Sequence, residues 1–248
     1  MSGIGRTATL VLVVGAAALA GATAGERASW PPDWLPPAMR AWVASDGEPS
    51  RPSGPVPVVL LPGWFNRGED MEPLRARFLE SGWDSASVVA LDFEDPVGSN
   101  RTHARELARA VLDLQERTGA PRVDVVAHSM GGLALRYYLW NGGAAAVRRV
   151  VFMATPHRGT VTSFLAWGEG AAEMRPGSAF LVGITRAPLL PPAVEALTVR
   201  TPLDLHVLPP ESATLPGIPD VEVCCPTHEG MLDDDETFQA VRGFLGEG

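Results

Sequence analysis

Ser129 lies in VVAHSMGGLALRYY, residues 125–138, where an apolar run gives way to an amphipathic one. Val123, Val125, Val126 and Ala127 read as a short buried strand, and Leu133, Leu135, Arg136, Tyr137 and Leu139 as a helix. Ala127 and Gly131 stand two positions to either side of the serine. Small residues there permit a sharp strand-to-helix turn that lifts the hydroxyl clear of the backbone, the G-x-S-x-G turn with alanine in first place. A serine that merely caps a helix would look the same over five residues, so its partners must decide. A serine hydroxyl is a weak nucleophile. It needs a base within hydrogen-bond reach, and the base needs a third group to orient it.

The chain has five histidines. His228, in PTHEGM, follows the apolar run Val221–Cys225 and precedes the last helical pattern, which puts it in a loop at a strand's carboxyl end. That is the edge on which Ser129 stands. His157, just after the fourth strand, and His206, inside a strand continuation, are weaker bases. His128 points across its strand away from Ser129 and reads as structural, and His103 as solvated or capping. For the acid, RTPLDLHVLPP puts Asp204 beyond the run Val194–Val199 and ahead of His228, in the order Ser, Asp, His. Asp220 opens the next strand at the opposite edge, and Asp233 to Asp235 read as N-terminal charges of the last helix. Two backbone N–H groups must also meet the developing negative oxygen. Met130, next to the serine, offers one; Trp64, after the close-turning Gly63 of LLPGWF, offers the other. Together these residues would carry out acyl transfer through a covalent serine ester.

The elements that position them alternate. Val58–Leu61, Ser87–Leu91, Val123–Ala127 and Arg149–Ala154 are apolar runs, and between them fall helical patterns over Asp70–Ser81 and His103–Thr118 and after Ser129. Apolar strands alternating with amphipathic helices predict a mostly parallel sheet covered on both faces. Its ligand site lies at the carboxyl ends of the strands. Residues 155–192 break the alternation with apolar, Gly- and Pro-punctuated chain, which reads either as core-packing loops or as a cover over an acyl pocket. Phe65, Phe164, Leu165 and Trp167 are the residues expected to bind substrate, with Phe180 and Leu181 joining them if the cover reading holds.

The 248 residues and 46% hydrophobic content suit one α/β domain, and a formal charge of −9 argues against nucleic acid as a partner. All 20 basic residues are arginine, beside 26 Gly and 23 Pro, a bias that suggests a GC-rich bacterial genome. MSGIGR, an apolar run and Ala22-Thr23-Ala24 read as a cleavable leader over 1–24, so the mature chain is expected outside the cytoplasm. Residues 25–55 form a Trp- and Pro-rich arm (Trp30, Trp34, Trp42) and linker, and 56–248 the catalytic domain. Cys224 and Cys225 are adjacent, so two buried thiols on a strand are expected rather than a bridge. They lack metal-ligand spacing, and neither metal nor cofactor is expected.

LLPGWF, LDFEDPVGSN, VDVVAHSMGG, ATPHRGT and PTHEGM together resemble small bacterial secreted lipases and esterases of the α/β-hydrolase superfamily, over residues from about 56 to the C-terminus. The resemblance implies an α/β-hydrolase fold with Ser129 as nucleophile, Asp204 as acid and His228 as base. It also implies Trp64 and Met130 as oxyanion donors and no cofactor. The expected activity is hydrolysis of acylglycerol-like or other lipid esters, with a lipid surface as the neighbouring phase. An acyltransferase using the same triad, or a non-catalytic binding protein on this fold, are the alternatives. Pro62-Gly63 departs from the family's usual His-Gly.

Overall fold

The computed structural model describes residues 54–185 and 188–246. The expected leader and nearly all of the arm and linker lie outside them. Six strands, β1 (Val58–Leu61), β2 (Val88–Ala90), β3 (Val123–His128), β4 (Val147–Met153), β5 (Glu195–Arg200) and β6 (Asp220–Glu222), form one sheet in the order β2-β1-β3-β4-β5-β6. Every pairing is parallel, with Leu61 opposite Ala127, His128 opposite Met153 and Met153 opposite Val199. The chain crosses from β1 outward to β2 and then returns to lay β3 on β1's other side. The strand order therefore reverses at β1 and β3, and a crevice opens outside their carboxyl ends.

Burial on both faces explains the near-continuous apolar runs: β1 and β3 are buried at every position. Val59, Leu61, Val125 and Ala127 pack on one face with Leu107, Val111 and Leu114 of α2 (Asn100–Thr118) and Leu135 and Leu139 of α3 (Gly131–Trp140). Val58, Leu60 and Val126 turn to the other face, against Leu74 and Phe78 of α1 (Glu72–Glu80) and Phe238, Val241 and Leu245 of α6 (Asp235–Gly246). α2 starts at Ser99, whose side chain accepts from Arg101 N–H, and stops at Gly119 in the left-handed region.

The stretch after β4 is a structured cover. It holds a 3₁₀ turn at Val161–Leu165, α4 (Gly168–Glu173) and α5 (Ala179–Ile184). Phe180 and Leu181, expected near the substrate, are instead buried with Met130 and Leu133 in the cover's own small core, because α5 turns its apolar face down onto α3.

The cysteines correct the expectation of buried thiols. Cys224 and Cys225 lie beyond β6, are exposed, and are joined to each other by a disulfide. The peptide between them is cis, with Cα atoms 2.9 Å apart, where a trans peptide would hold them about 3.8 Å apart.

Candidate active site

β3 ends at His128, and Ser129 follows with φ of 52°, a backbone conformation that non-glycine residues seldom adopt. Neighbours hold it there: Ser129 N–H donates to Met153 O at 2.8 Å, and Ser129 O accepts from Gly132 N–H at 3.1 Å. The turn fits only because two close approaches are to glycine. A Cβ on Gly63 would come within 2.9 Å of Ser129 Cβ, and one on Gly131 within 2.5 Å of Pro62 O. Residue 127 has no such need, and the methyl of Ala127 is wholly buried in the sheet. Ser129 is 8% exposed, and its hydroxyl has no hydrogen-bond partner among the described residues.

Two loops at the same sheet edge bring up Asp204 and His228, which are 3% and 4% exposed. His228 Nδ1 donates to Asp204 Oδ2 at 2.7 Å. The other carboxylate oxygen, Oδ1, accepts from His206 N–H at 2.8 Å and Val207 N–H at 2.7 Å. Burial pushes the Asp204 carboxyl up, but the hydrogen bond and charge of His228 and these two amides outweigh it and hold it below its usual range. With Nδ1 donating to a carboxylate, His228 Nε2 carries the free lone pair, the tautomer a base requires. His128 lies behind: its Nε2 donates to His228 O at 3.1 Å, fixing the loop. Burial first, and then the positive charge of His228 when protonated, lower the pKa of His128 to about 4, so it stays neutral.

Ser129 and His228 open into one cleft of about 440 Å³, also lined by Trp64, Phe65, Leu165 and Trp167. Trp64 N–H and Met130 N–H donate to no described backbone carbonyl. Both stand at the start of a turn beside Ser129, where they can meet an oxyanion.

The model of the alpha/beta hydrolase family matches residues 58–244. The chain belongs to that family. Among solved structures, this hydrolase resembles Aspergillus fumigatus lipase B at TM-score 0.67 and 19% identity, covering 78% of this chain and 53% of that one. It resembles a Bacillus licheniformis lipase in mature form at 0.67 and 15%, covering 79% and 94%. It resembles polyneuridine aldehyde esterase at 0.56 and 15%, covering 78% and 100%.

The hydrolase brings Ser129, Asp204, His228, Trp64, Met130, Phe65, Leu165 and Trp167 to one place. Phe164 is the exception. It is 60% exposed, outside the cleft lining, with the Arg175 guanidinium 5.4 Å over its ring. Successive residues of the 3₁₀ turn point apart, so Leu165 reaches the rim of the cleft and Phe164 does not. Among the other histidines, His206 stands exposed at the cleft, in a loop rather than a strand, and His157 is buried away from it. His103, expected in solvent or at a cap, is wholly buried, stacked on Phe93 with its Nε2 2.7 Å from Asp95 O. Asn66 and Glu229 carry no signal in the sequence that marks them as site residues; Asn66 Nδ2 donates to Glu229 Oε2 at 3.0 Å at the cleft mouth. His128, His228 and Glu229 each offer a ligand atom within 4.8 Å of the others. Asp204 already holds His228 Nδ1, so a cation there would compete with substrate for Nε2.

Proposed function

We propose that this alpha/beta hydrolase is a serine carboxylic-ester hydrolase that acts on lipid-like esters. The observation that carries the reading is the buried Asp204–His228 pair, joined at 2.7 Å and facing the cleft where Ser129 sits on its positive-φ turn. Ser129 Oγ attacks the ester carbonyl while His228 Nε2 takes its proton. The tetrahedral oxyanion is met by the N–H groups of Trp64 and Met130, and His228 returns the proton to the leaving alcohol. Water, deprotonated by the same nitrogen, then releases the acid. The similarity of the fold to lipases and an esterase supports this reading, as does the aromatic and aliphatic lining of the cleft.

Phe65, Leu165 and Trp167, exposed by 58%, 90% and 59%, would meet the acyl chain or the lipid surface that supplies it. Export with removal of residues 1–24 belongs to the same proposal. A fluorophosphonate probe tests it. The probe should label Ser129 and abolish hydrolysis of p-nitrophenyl esters, and Ser129→Ala should take no label and lose on the order of 10⁶-fold in kcat. A folded Ser129→Ala protein with most of its activity would end the reading.

A further inference from the structure

If ester hydrolysis is the reaction, the proton path fixes where the two halves of the substrate lie. The carbonyl oxygen points at the N–H groups of Trp64 and Met130. The leaving oxygen must stand within a hydrogen bond of His228 Nε2 to receive its proton. The alcohol therefore occupies the His228 side of the cleft, and the groups around His228 are what it meets.

Those groups are polar, and they come from three separate loops. Asn66 arrives from the loop after β1, His206 from the Asp204 loop, and Glu229 follows His228 itself. The His206 and His228 rings lie 4.8 Å apart. Glu229 Oε1 is 3.8 Å from His206 Nδ1, too long for a hydrogen bond, while Oε2 accepts from Asn66. A Glu229 carboxylate oxygen is also within 4.8 Å of a His228 ring nitrogen. Glu229 and His206 are about half exposed, 48% and 62% at the side chain. Oε1 thus keeps open acceptor sites in the loop cluster around His228, and Asn66 Oδ1 and the His206 ring add further hydrogen-bonding capacity. Among the other lining residues, Trp64, Phe65, Leu165 and Trp167 suit an acyl chain, and the hydroxyls of Thr160, Thr162 and Ser163 already donate to backbone carbonyls of His206 and Thr160.

We propose, resting on the ester-hydrolase reading, that Asn66, His206 and Glu229 form the leaving-alcohol subsite. They select an alcohol that carries free hydroxyls next to the ester, the partial ester of a polyol such as glycerol or a sugar. A neighbouring hydroxyl donates to Glu229 Oε1 and accepts from His206. A fully acylated neighbour would set ester oxygens, which only accept, against a carboxylate that only accepts. A plain alkyl alcohol would offer the carboxylate no donor. Discrimination here comes from the hydrogen bond gained, since water still reaches the half-exposed carboxylate when no hydroxyl is offered.

The test uses the whole protein and a set of laurate esters sharing one acyl half: 1-lauroylglycerol, 6-O-lauroylglucose, propyl laurate and lauroylcholine. The quantity read is kcat/KM, which covers the step in which the alcohol leaves. A polyol ester should exceed propyl laurate by about tenfold, the worth of one hydrogen bond to a charged acceptor; whichever of glycerol and glucose is faster names the polyol. In Glu229→Gln and Asn66→Ala that ratio should fall to about twofold or less, with urea unfolding used to confirm that both variants are folded. Equal rates for propyl laurate and both polyol esters in the wild-type protein would overturn the subsite and leave ester hydrolysis standing. A preference for lauroylcholine over both polyol esters, lost in Glu229→Gln, would overturn it too, since Glu229 would then be reading charge. No hydrolysis of any ester, together with no probe label on Ser129, would sink the hydrolase reading instead.

Discussion

Asp204 presents two differently engaged oxygens, and that asymmetry makes its role testable. Oδ1 takes two backbone N–H groups and Oδ2 takes His228 Nδ1. In Asp204→Asn the new carbonyl must accept those amides, which turns the NH₂ toward His228. Nδ1 then has to accept, the ring proton moves to Nε2, and the base loses its lone pair. The expected result is a folded protein with kcat lowered about 10⁴-fold, as in other serine triads; turnover within a few-fold of wild type would remove Asp204 from the mechanism. The sequence pointed to these three residues because each follows an apolar run; chain order sets Asp204 apart from Asp233 to Asp235, but not from Asp220, which also lies between Ser129 and His228. Asp220 is not at the opposite edge: the register sets it level with Thr198, Phe152 and Ala127, near the carboxyl ends. It stands instead on β6, three strands from β3, and accepts from Thr198 Oγ1 and Arg200 Nε. Asn66 and Glu229 were not legible: polar loop residues have no periodicity, and only the folded chain brings residues 163 positions apart into contact. The adjacent cysteines misled because spacing arguments presuppose the trans peptide.

At the scale of elements, the strands and long helices came out of hydrophobic period alone, with ends moved by a few residues. The cover did not, since its pieces are short and glycine-punctuated, and what orders them is contact with the body. Glu173, at the end of α4, is the main tie. Its carboxylate accepts from Ser99 Oγ at 2.8 Å, from Asn100 N–H and Nδ2 at 2.7 and 2.9 Å, and from Arg101 Nη1 at 2.8 Å. One side chain thus satisfies the first turn of α2 and pins the cover to it. Glu173→Ala should cost about 2 kcal/mol, read as a lower urea midpoint. An unchanged midpoint would mean that water replaces the carboxylate at no cost.

For the molecule as a whole, buried histidines set the response to acid. His128 has an ordinary value of 6.5 and a folded value of about 4, so the unfolded chain binds the proton more readily. Its contribution to stability is complete above about 6.5 and is lost as pH falls toward 4. That is on the order of 3 kcal/mol. His157, wholly buried and also held well below its usual value by desolvation and by Arg136 and Arg158, acts in the same direction. Asp204, held below 3.8, adds a further loss only in stronger acid. Urea midpoints measured between pH 7 and 4 should fall steadily; a flat profile would show that these rings are protonated in the fold. The histidine count was plain in the sequence, but not the burial. His103 and His157 sit in polar-looking contexts that only tertiary packing covers.

The ties between cover and body bear on how rate depends on substrate concentration. Besides Glu173, Gly170 N–H donates to Val97 O, Trp64 Nε1 to Trp167 O, and the buried Arg136 guanidinium to His157 O and Ile184 O. Arg136 thereby holds both ends of the segment from the helix that follows Ser129. Lifting it would break all of these bonds together, while the cleft is already open at Leu165 and Trp167. An oil–water boundary therefore has no closed door to unlock. Initial rate plotted against a short-chain triglyceride should rise as one smooth hyperbola through the solubility limit, with no jump where droplets first form.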